Sequence, residues 1–184
     1  MWNIFNFFTK FKKKHTMRDA ISLDRCKKLH PKIAQEVIQT ITKVEANFPV
    51  NIKIRVVQAL RTIAEQNALY AQGRTKPGQI VTKARGGSSY HNYGLAIDFA
   101  IMYDKDGDGK FETLSWNTAL DGDKDGIADW QEMVKEFKAL GYHWSGENRT
   151  FKDLPHIEKS FGYTINQLRA KVASNDILGG YVNL

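Results

Sequence analysis

The stretch Ser89-Tyr-His-Asn-Tyr-Gly-Leu-Ala-Ile-Asp98 and the downstream piece Asp153-Leu-Pro-His156 are the two parts of the chain around which the rest is organised. Between Gly94 and Ile101 the residues alternate with a period of two, which is typical of a strand. One face of this strand is apolar and points into a core: Leu95, Ile97, Phe99 and Ile101. The other face carries Asp98 among glycine and alanine, and we expect open space above this carboxylate.

The histidines of the two segments change how Asp98 is interpreted. A lone aspartate on a strand face is ordinarily a solvated surface residue. Here His91 precedes Asp98 across a turn that contains glycine, and His156 follows a proline in another short apolar run. Two imidazoles and one carboxylate leave the fourth position of a tetrahedral zinc ion open, which is the ligand count of a catalytic site. The pattern therefore predicts a catalytic zinc site.

The same motifs carry a family resemblance. Ser-x-His-x-x-Gly-x-Ala-x-Asp followed by Asp-x-Pro-His resembles the zinc peptidases of bacterial cell walls, a family of D-Ala-D-Ala carboxypeptidases and L-alanyl-D-glutamate endopeptidases that includes phage endolysins. Upstream, the stretch from Arg61 to Gly78 is similar to the endopeptidase and endolysin branch. The resemblance spans Leu23 to Tyr163. It implies an α+β fold of the Hedgehog/D-Ala-D-Ala peptidase type, in which a small antiparallel sheet carries the zinc site and packs against helices.

The resemblance also implies roles for three further residues. Asp153 occupies the family's general-base position and is expected to take a proton from water at the zinc site and pass it to the leaving amine. Arg61 matches the family's arginine, which faces the developing oxyanion or a substrate carboxylate. Ser89 matches the serine before the first histidine ligand, and we assign it a substrate contact.

Three functions follow as alternatives. The first is a zinc metallopeptidase that cuts the L-alanyl-D-glutamate bond of peptidoglycan stem peptides, in cell-wall lysis or remodelling. The second is D-Ala-D-Ala carboxypeptidase activity on the same scaffold. The third, from another class, is a non-catalytic, calcium-stabilised module that binds the envelope. The ligands and the acid are all present, so the sequence favours an enzyme.

Length and composition set outer bounds on the molecule. The 184 residues suit one domain with its own core, and the single cysteine, Cys26, excludes an intrachain disulfide or a thiolate metal cluster. The balance of 27 Lys and Arg against 20 Asp and Glu gives a formal charge of +7, which favours polyanionic surroundings. The charge alone does not choose among nucleic acid, anionic lipid and the acidic polymers of a bacterial envelope. The resemblance implies peptidoglycan as the partner and no nucleic acid, and we expect a monomer.

Residues 1–16 form an aromatic and then basic N-terminal extension ahead of a peptidase domain predicted over 17–184. The charges follow the apolar part, the reverse of a secretory signal. Contact of this extension with an anionic membrane is one interpretation, and a loosely packed extension is the other. We expect a protein made in the cytoplasm that acts on the cell wall or periplasm, with release through a holin-like pore implied by analogy to endolysins.

An insertion near residues 104–132 contains a calcium-type loop. Oxygen ligands stand at the first, third, fifth, seventh, ninth and twelfth positions, with Gly126 at the sixth, as in an EF-hand loop. These predicted calcium ligands are Asp121, Asp123, Asp125, Ile127 through its carbonyl, Asp129 and Glu132. The role predicted for calcium is structural. The earlier string Asp104–Gly109 shares the opening of the pattern but has Ser115 at the twelfth position, and we interpret it as a hairpin turn that could lend ligands.

Helical periodicity and capping signals define the remaining elements. The pattern predicts a core helix from Pro31 to Asn47, a half-buried strand around Ile52–Val56, and a capped helix that opens at Thr62. A loop rich in glycine and serine follows over 76–89. Two further helices are predicted with inward stripes: Trp130, Met133, Val134, Phe137 and Leu140 in the first, and Ile165, Leu168 and Val172 in the last.

Overall fold

The structure, a computed structural model, describes residues 16–184. The predicted N-terminal extension lies outside the described residues except for Thr16, and so does its possible membrane contact. The helices are α1 (Ala20–Cys26), α2 (Pro31–Asn47), α3 (Ile63–Ala71), α4 (Asp129–Ala139) and α5 (Ile165–Ala173). The strands are β1 (Ile52–Gln58), β2 (Ala96–Tyr103), β3 (Thr113–Ser115), β4 (His143–Trp144), β5 (His156–Glu158), β6 (Ile177–Leu178) and β7 (Tyr181–Val182). None of the described helices is both long and apolar enough to cross a bilayer.

Strand β2 is the centre of an antiparallel sheet. The order is β1-β2-β5-β4, and β3 pairs with the far end of β2. Along one edge of β2, the first residues of β2 therefore pair with β5 and the last residues of β2 pair with β3. The register places Asp98 directly opposite His156. Since facing residues of neighbouring strands share a face, the sheet itself brings the two distant motifs together.

The apolar face of β2 packs into the main core, as the alternation predicted. Ile97, Phe99 and Ile101 belong to this core and are each at most 1% exposed. Leu95 precedes β2 by one residue and is buried in a second, smaller cluster with Leu168 and Val182. Helices α2 and α4 supply the opposing surface, and the rings of Phe99 and Trp130 lie 4.4 Å apart between centroids. The predicted α+β class is confirmed, and α2 has the predicted bounds.

The expected open space along the other face of β2 is limited to Asp98. Its neighbours on this face, Ala96 and Ala100, are 1% and 0% exposed. Each alanine faces a long side chain on the adjacent strand, since Ala96 pairs with Glu158 and Ala100 pairs with Arg55. Small side chains beside long ones are covered, and the cleft opens only where Asp98 stands between them.

In two helices, the last residue of the predicted inward stripe is exposed. Trp130, Met133, Val134 and Phe137 of α4 are buried, but Leu140 is the C-cap and is 40% exposed. In α5, Leu168 is fully buried whereas Val172, in the last turn, is 49% exposed. The string after Asp104 does join two antiparallel strands, β2 and β3, as a hairpin connection.

Candidate active site

Three side chains from three elements converge at one edge of the sheet. His91 lies on a 3₁₀ turn (Tyr90–Tyr93) that Ser89 caps and that ends at Gly94 in the left-handed conformation. Asp98 lies on β2, and His156 opens β5. His91 Nε2 is 3.1 Å from both Asp98 Oδ1 and His156 Nδ1, and His156 Nδ1 is 3.0 Å from Asp98 Oδ1. The three predicted zinc ligands therefore meet at one point.

The outer nitrogen of each imidazole has its own partner. His91 Nδ1 donates to the backbone carbonyl of Ala59 at 2.8 Å, and His156 Nε2 donates to Glu158 Oε2 at 2.8 Å. A neutral imidazole that donates from one nitrogen keeps a lone pair on the other. Both inner nitrogens are thus free to act as ligands, and the donor set fits a divalent zinc ion.

Charge at this point favours the ionised carboxylate. Burial alone would raise the pKa of Asp98, but hydrogen bonds from His156 and His91 hold that pKa well below its usual range. Burial likewise lowers the pKa of His156, but hydrogen bonds to Asp98 and Glu158 outweigh it and raise the pKa to about 9. Without a metal, a proton on His156 compensates the two carboxylates. A bound cation would replace that proton.

Arg61 lies beside the converging ligands. Its Nη1 donates to Gln66 Oε1 at 2.9 Å, and its Nη2 is 3.6 Å from Asp98 Oδ2. The backbone N–H of Arg61 donates to the carbonyl of His91 at 3.0 Å, which joins the strand-to-helix corner to the 3₁₀ turn. The guanidinium is therefore held in place with its end near the metal position.

Asp153 and Ser89 line the same cleft, which has a volume of about 630 Å³. Asp153 lies near the site but outside the group of carboxylate and imidazole atoms that approach one another within 4.8 Å. Burial and the negative charge of Asp98 raise its pKa. Ser89 caps the 3₁₀ turn by accepting from His91 N at 3.4 Å.

Glu158 is the site residue that sequence reasoning missed. It follows His156 by two positions on β5, so the two side chains lie on the same face of the strand. An acid two positions after a histidine on a strand could indicate a partner for the imidazole, but the same spacing is common on strands without such a role. Only the observed contact with His156 identifies Glu158 as its partner.

The loop after residue 120 gathers the predicted calcium ligands in two overlapping groups. Asp121, Asp123 and Asp129 approach one another within 4.8 Å, and so do Asp123, Asp125 and Glu132. Asp129 is fully buried and also accepts from the hydroxyl of Tyr103 at 2.5 Å. Ile127 is 47% exposed, and its N–H donates to Asp125.

Glu132 is the unsatisfied member of this loop. Its Oε2 is buried without a hydrogen-bond partner. Burial, followed by the charges of Asp125 and Asp123, raises the pKa of Glu132 to about 7. The position at the end of the loop is therefore strained by like charge as long as no cation is bound.

A second acidic group lies in the β2–β3 connection. Asp104, Asp106, Asp108 and Glu112 approach within 4.8 Å. Ser115 stands at the twelfth position of an EF-hand pattern that starts at Asp104, but Glu112 at the ninth position completes this group. Asp104 already accepts from the N–H groups of Gly107 and Gly109, as expected of a turn.

The chain is similar to known cell-wall peptidases. A family model described as D-alanyl-D-alanine carboxypeptidase matches residues 82–159. The peptidoglycan L-alanyl-D-glutamate endopeptidase CwlK of Bacillus subtilis (strain 168) is 45% identical over 130 residues, which is 71% of this chain and 72% of CwlK. The L-alanyl-D-glutamate peptidase of Listeria phage A118 is 32% identical over 100 residues, 52% of this chain and 31% of the phage protein.

Among solved structures, the Serratia marcescens L-Ala D-Glu endopeptidase ChiX matches with a TM-score of 0.50 at 19% identity, covering 82% of this chain and 95% of ChiX. At that identity the match supports the fold, and the match to CwlK supports the family. The chain belongs to the zinc peptidase family of D-Ala-D-Ala carboxypeptidases and L-alanyl-D-glutamate endopeptidases.

Proposed function

We propose that this protein is a zinc metallopeptidase that hydrolyses peptidoglycan stem peptides at the L-alanyl-D-glutamate bond. The observation that carries the proposal is the meeting of His91 Nε2, Asp98 Oδ1 and His156 Nδ1, all within 3.1 Å, at the base of a cleft that Asp153 also lines. The choice of bond rests on CwlK and the phage A118 enzyme, whose names specify it.

His91, Asp98 and His156 would hold the zinc ion. Zinc supplies Lewis acidity, and it lowers the pKa of water toward neutrality. The Asp153 carboxylate accepts a proton from the attacking water and returns it to the nitrogen of the leaving amine. Its raised pKa suits this exchange, because a base works best when its pKa approaches the working pH.

Arg61 stabilises negative charge on the substrate. Its guanidinium is fixed by Gln66 and faces Asp98, so that no large rearrangement is needed when the carbonyl oxygen becomes an oxyanion. Ser89 stands on the wall of the cleft, which supports the substrate contact proposed for it.

Identification of the cleavage products tests the proposed bond. Purified peptidoglycan is digested with the wild type and with Asp153→Asn, and the soluble fragments are identified by mass spectrometry. We expect fragments that begin with D-glutamate from the wild type and almost none from the variant. The description of the matching family model favours D-Ala-D-Ala carboxypeptidase activity as the second candidate. Release of single D-alanine without a cut after L-alanine would establish it instead.

We also propose that the loop from Asp121 to Glu132 binds calcium and thereby fixes the start of α4. Asp123 belongs to both groups of carboxylates that approach within 4.8 Å, so the two groups surround one common region. The buried Oε2 of Glu132 has no hydrogen-bond partner. Lys124 and Gly126 adopt positive φ values of 63° and 96°, which fold the loop around a common centre. Calcium would replace repulsion by coordination at this centre.

Calorimetric titration of the metal-free protein with calcium tests this assignment. We expect binding with a rise in the unfolding temperature for the wild type and little of either for Glu132→Gln. The matched control is Glu136→Gln, which removes a charge from the same helix where it pairs with Lys43 rather than with the loop. Absence of binding at millimolar calcium would rule the site out.

The cell wall is the proposed place of action, since the substrate lies there. The formal charge of +7 favours retention among its anionic polymers, and we propose that the enzyme acts as a monomer.

A further inference from the structure

Glu158 is the last residue of β5 and belongs to the surroundings of the metal position without being a ligand. It pairs with Ala96 of β2 on one side and with His143 of β4 on the other. Both neighbouring strands hold its backbone, and its side chain is only 20% exposed. The carboxylate is therefore placed by the sheet, and not by a mobile loop.

The ring of His156 lies between two carboxylates. Its Nδ1 is 3.0 Å from Asp98 Oδ1, and its Nε2 is 2.8 Å from Glu158 Oε2. Rotation of the imidazole by half a turn would replace each nitrogen by a carbon and would lose both contacts. Glu158 thus selects one ring orientation and, as an acceptor, keeps the proton on Nε2.

The two histidines differ in the strength of this support. His91 donates to a neutral backbone carbonyl, that of Ala59. His156 donates to a carboxylate, and hydrogen bonds to an ionised acceptor are about twice as strong as neutral ones. An ionised acceptor also makes the opposite nitrogen a better electron donor to a metal.

We propose that Glu158 is a positioning residue that holds His156 with Nδ1 toward the zinc ion and strengthens zinc binding. The inference rests on the proposed zinc site and deepens it. The competing explanation is a simple ion pair between Glu158 and a protonated His156, which would contribute to folding without strengthening metal binding.

Zinc affinity of the full chain separates the two explanations. The metal-free wild type, Glu158→Gln and Glu158→Met are titrated with zinc in competition with a chelating dye at one neutral pH. Methionine keeps the length of the side chain and removes the acceptor, so we expect about 10–100-fold weaker binding. Glutamine retains a neutral acceptor oxygen, so we expect it to keep the ring orientation and to recover only part of that loss.

The matched control is Glu36→Gln. Glu36 pairs with Lys159, the neighbour of Glu158, at 2.7 Å and touches no metal ligand, so zinc binding should be unchanged. Nitrogen NMR of the zinc-loaded wild type provides a second readout, and we expect the proton of the His156 ring on Nε2. A folded Glu158→Met protein that binds zinc within about twofold of wild type would overturn the proposal.

Two outcomes keep this inference separate from the proposed function. If the wild type binds zinc and cuts peptidoglycan, but the methionine variant binds zinc equally well, only the proposed role of Glu158 is contradicted. If the wild type neither binds zinc nor cuts peptidoglycan, both the proposed function and the role of Glu158 are contradicted. Should the methionine variant fail to fold, NMR of the wild type decides: a proton on Nδ1, with zinc at Nε2, contradicts the proposed orientation.

Discussion

At the scale of single residues, Asp98 and Asp153 are the same side chain in opposite surroundings. Burial raises the pKa of both, but hydrogen bonds from His156 and His91 reverse that effect at Asp98 alone. A ligand must be ionised to bind a metal, whereas a base must release its proton again. The surroundings therefore support the two different tasks proposed for the two aspartates.

Replacement of each aspartate by asparagine tests this division. Asp153→Asn should lower kcat by about 10²–10⁴-fold, because the proton acceptor is lost while the ligands stay in place. Its zinc affinity should remain near wild type. Asp98→Asn should lose both zinc and activity. Steady-state kinetics and metal analysis of the same preparations check this, and weak zinc binding by Asp153→Asn would mean that this residue is a ligand after all.

The sequence predicted the three ligands and their meeting at one zinc ion, but not the partners of the outer imidazole nitrogens. His91, Asp98 and His156 were recognisable because few other reasons place two histidines and an aspartate in apolar, strand-forming surroundings. The partners Ala59 and Glu158 were not, since a backbone carbonyl carries no signature and an acid two positions after a histidine is common on strands.

At the scale of elements, His30 joins the start of α2 to the C-terminal strand β7. Its Nδ1 accepts from the backbone N–H of Lys32 at 3.1 Å, and its Nε2 donates to the carbonyl of Val182 at 2.9 Å. Only the neutral ring satisfies both contacts, and the side chain is 5% exposed. Burial, the largest effect, lowers the pKa of His30 below its ordinary value.

Stability should therefore fall in acid through this residue. Because the pKa is lower in the folded than in the unfolded state, the contribution is complete above the unfolded pKa of about 6.5 and is lost as the pH falls through the folded pKa. One proton limits the slope to about 1.4 kcal/mol per pH unit. Urea unfolding of the metal-free protein over this range should show a steeper loss for wild type than for His30→Asn. Parallel pH profiles would contradict this role.

Elements were predictable where a long pattern repeats. Helix α2 carries such a pattern, and the capping box at Thr62 is a short but specific signature; the structure contains both. Helix α1 was missed because its buried residues, Ser22 and Cys26, form no apolar stripe. The β6–β7 hairpin was missed because strands of two residues are too short to show a period.

At the scale of the whole molecule, the proposed zinc site joins parts of the chain that are distant in sequence. The 3₁₀ turn, β2 and β5 each supply one ligand, and β2 is also the centre of the main core. Strand order and register were not predictable from local patterns, because they depend on pairing between distant segments. The pairing of Asp98 with His156 is thus a property of the complete sheet, and zinc should bind only where that sheet has formed.

Zinc should consequently stabilise the entire domain. A ligand that binds only the folded state at a free concentration of 100 times its Kd contributes about 2.7 kcal/mol, which for a chain of this size raises the unfolding temperature by about 5–11 °C. Asp153→Asn, which keeps all three ligands, should show the same rise, and Asp98→Asn should show almost none. Thermal unfolding of the metal-free proteins with and without zinc measures these shifts. An equal rise in Asp98→Asn would place the stabilising zinc elsewhere on the molecule and remove the link between the central strand and the metal.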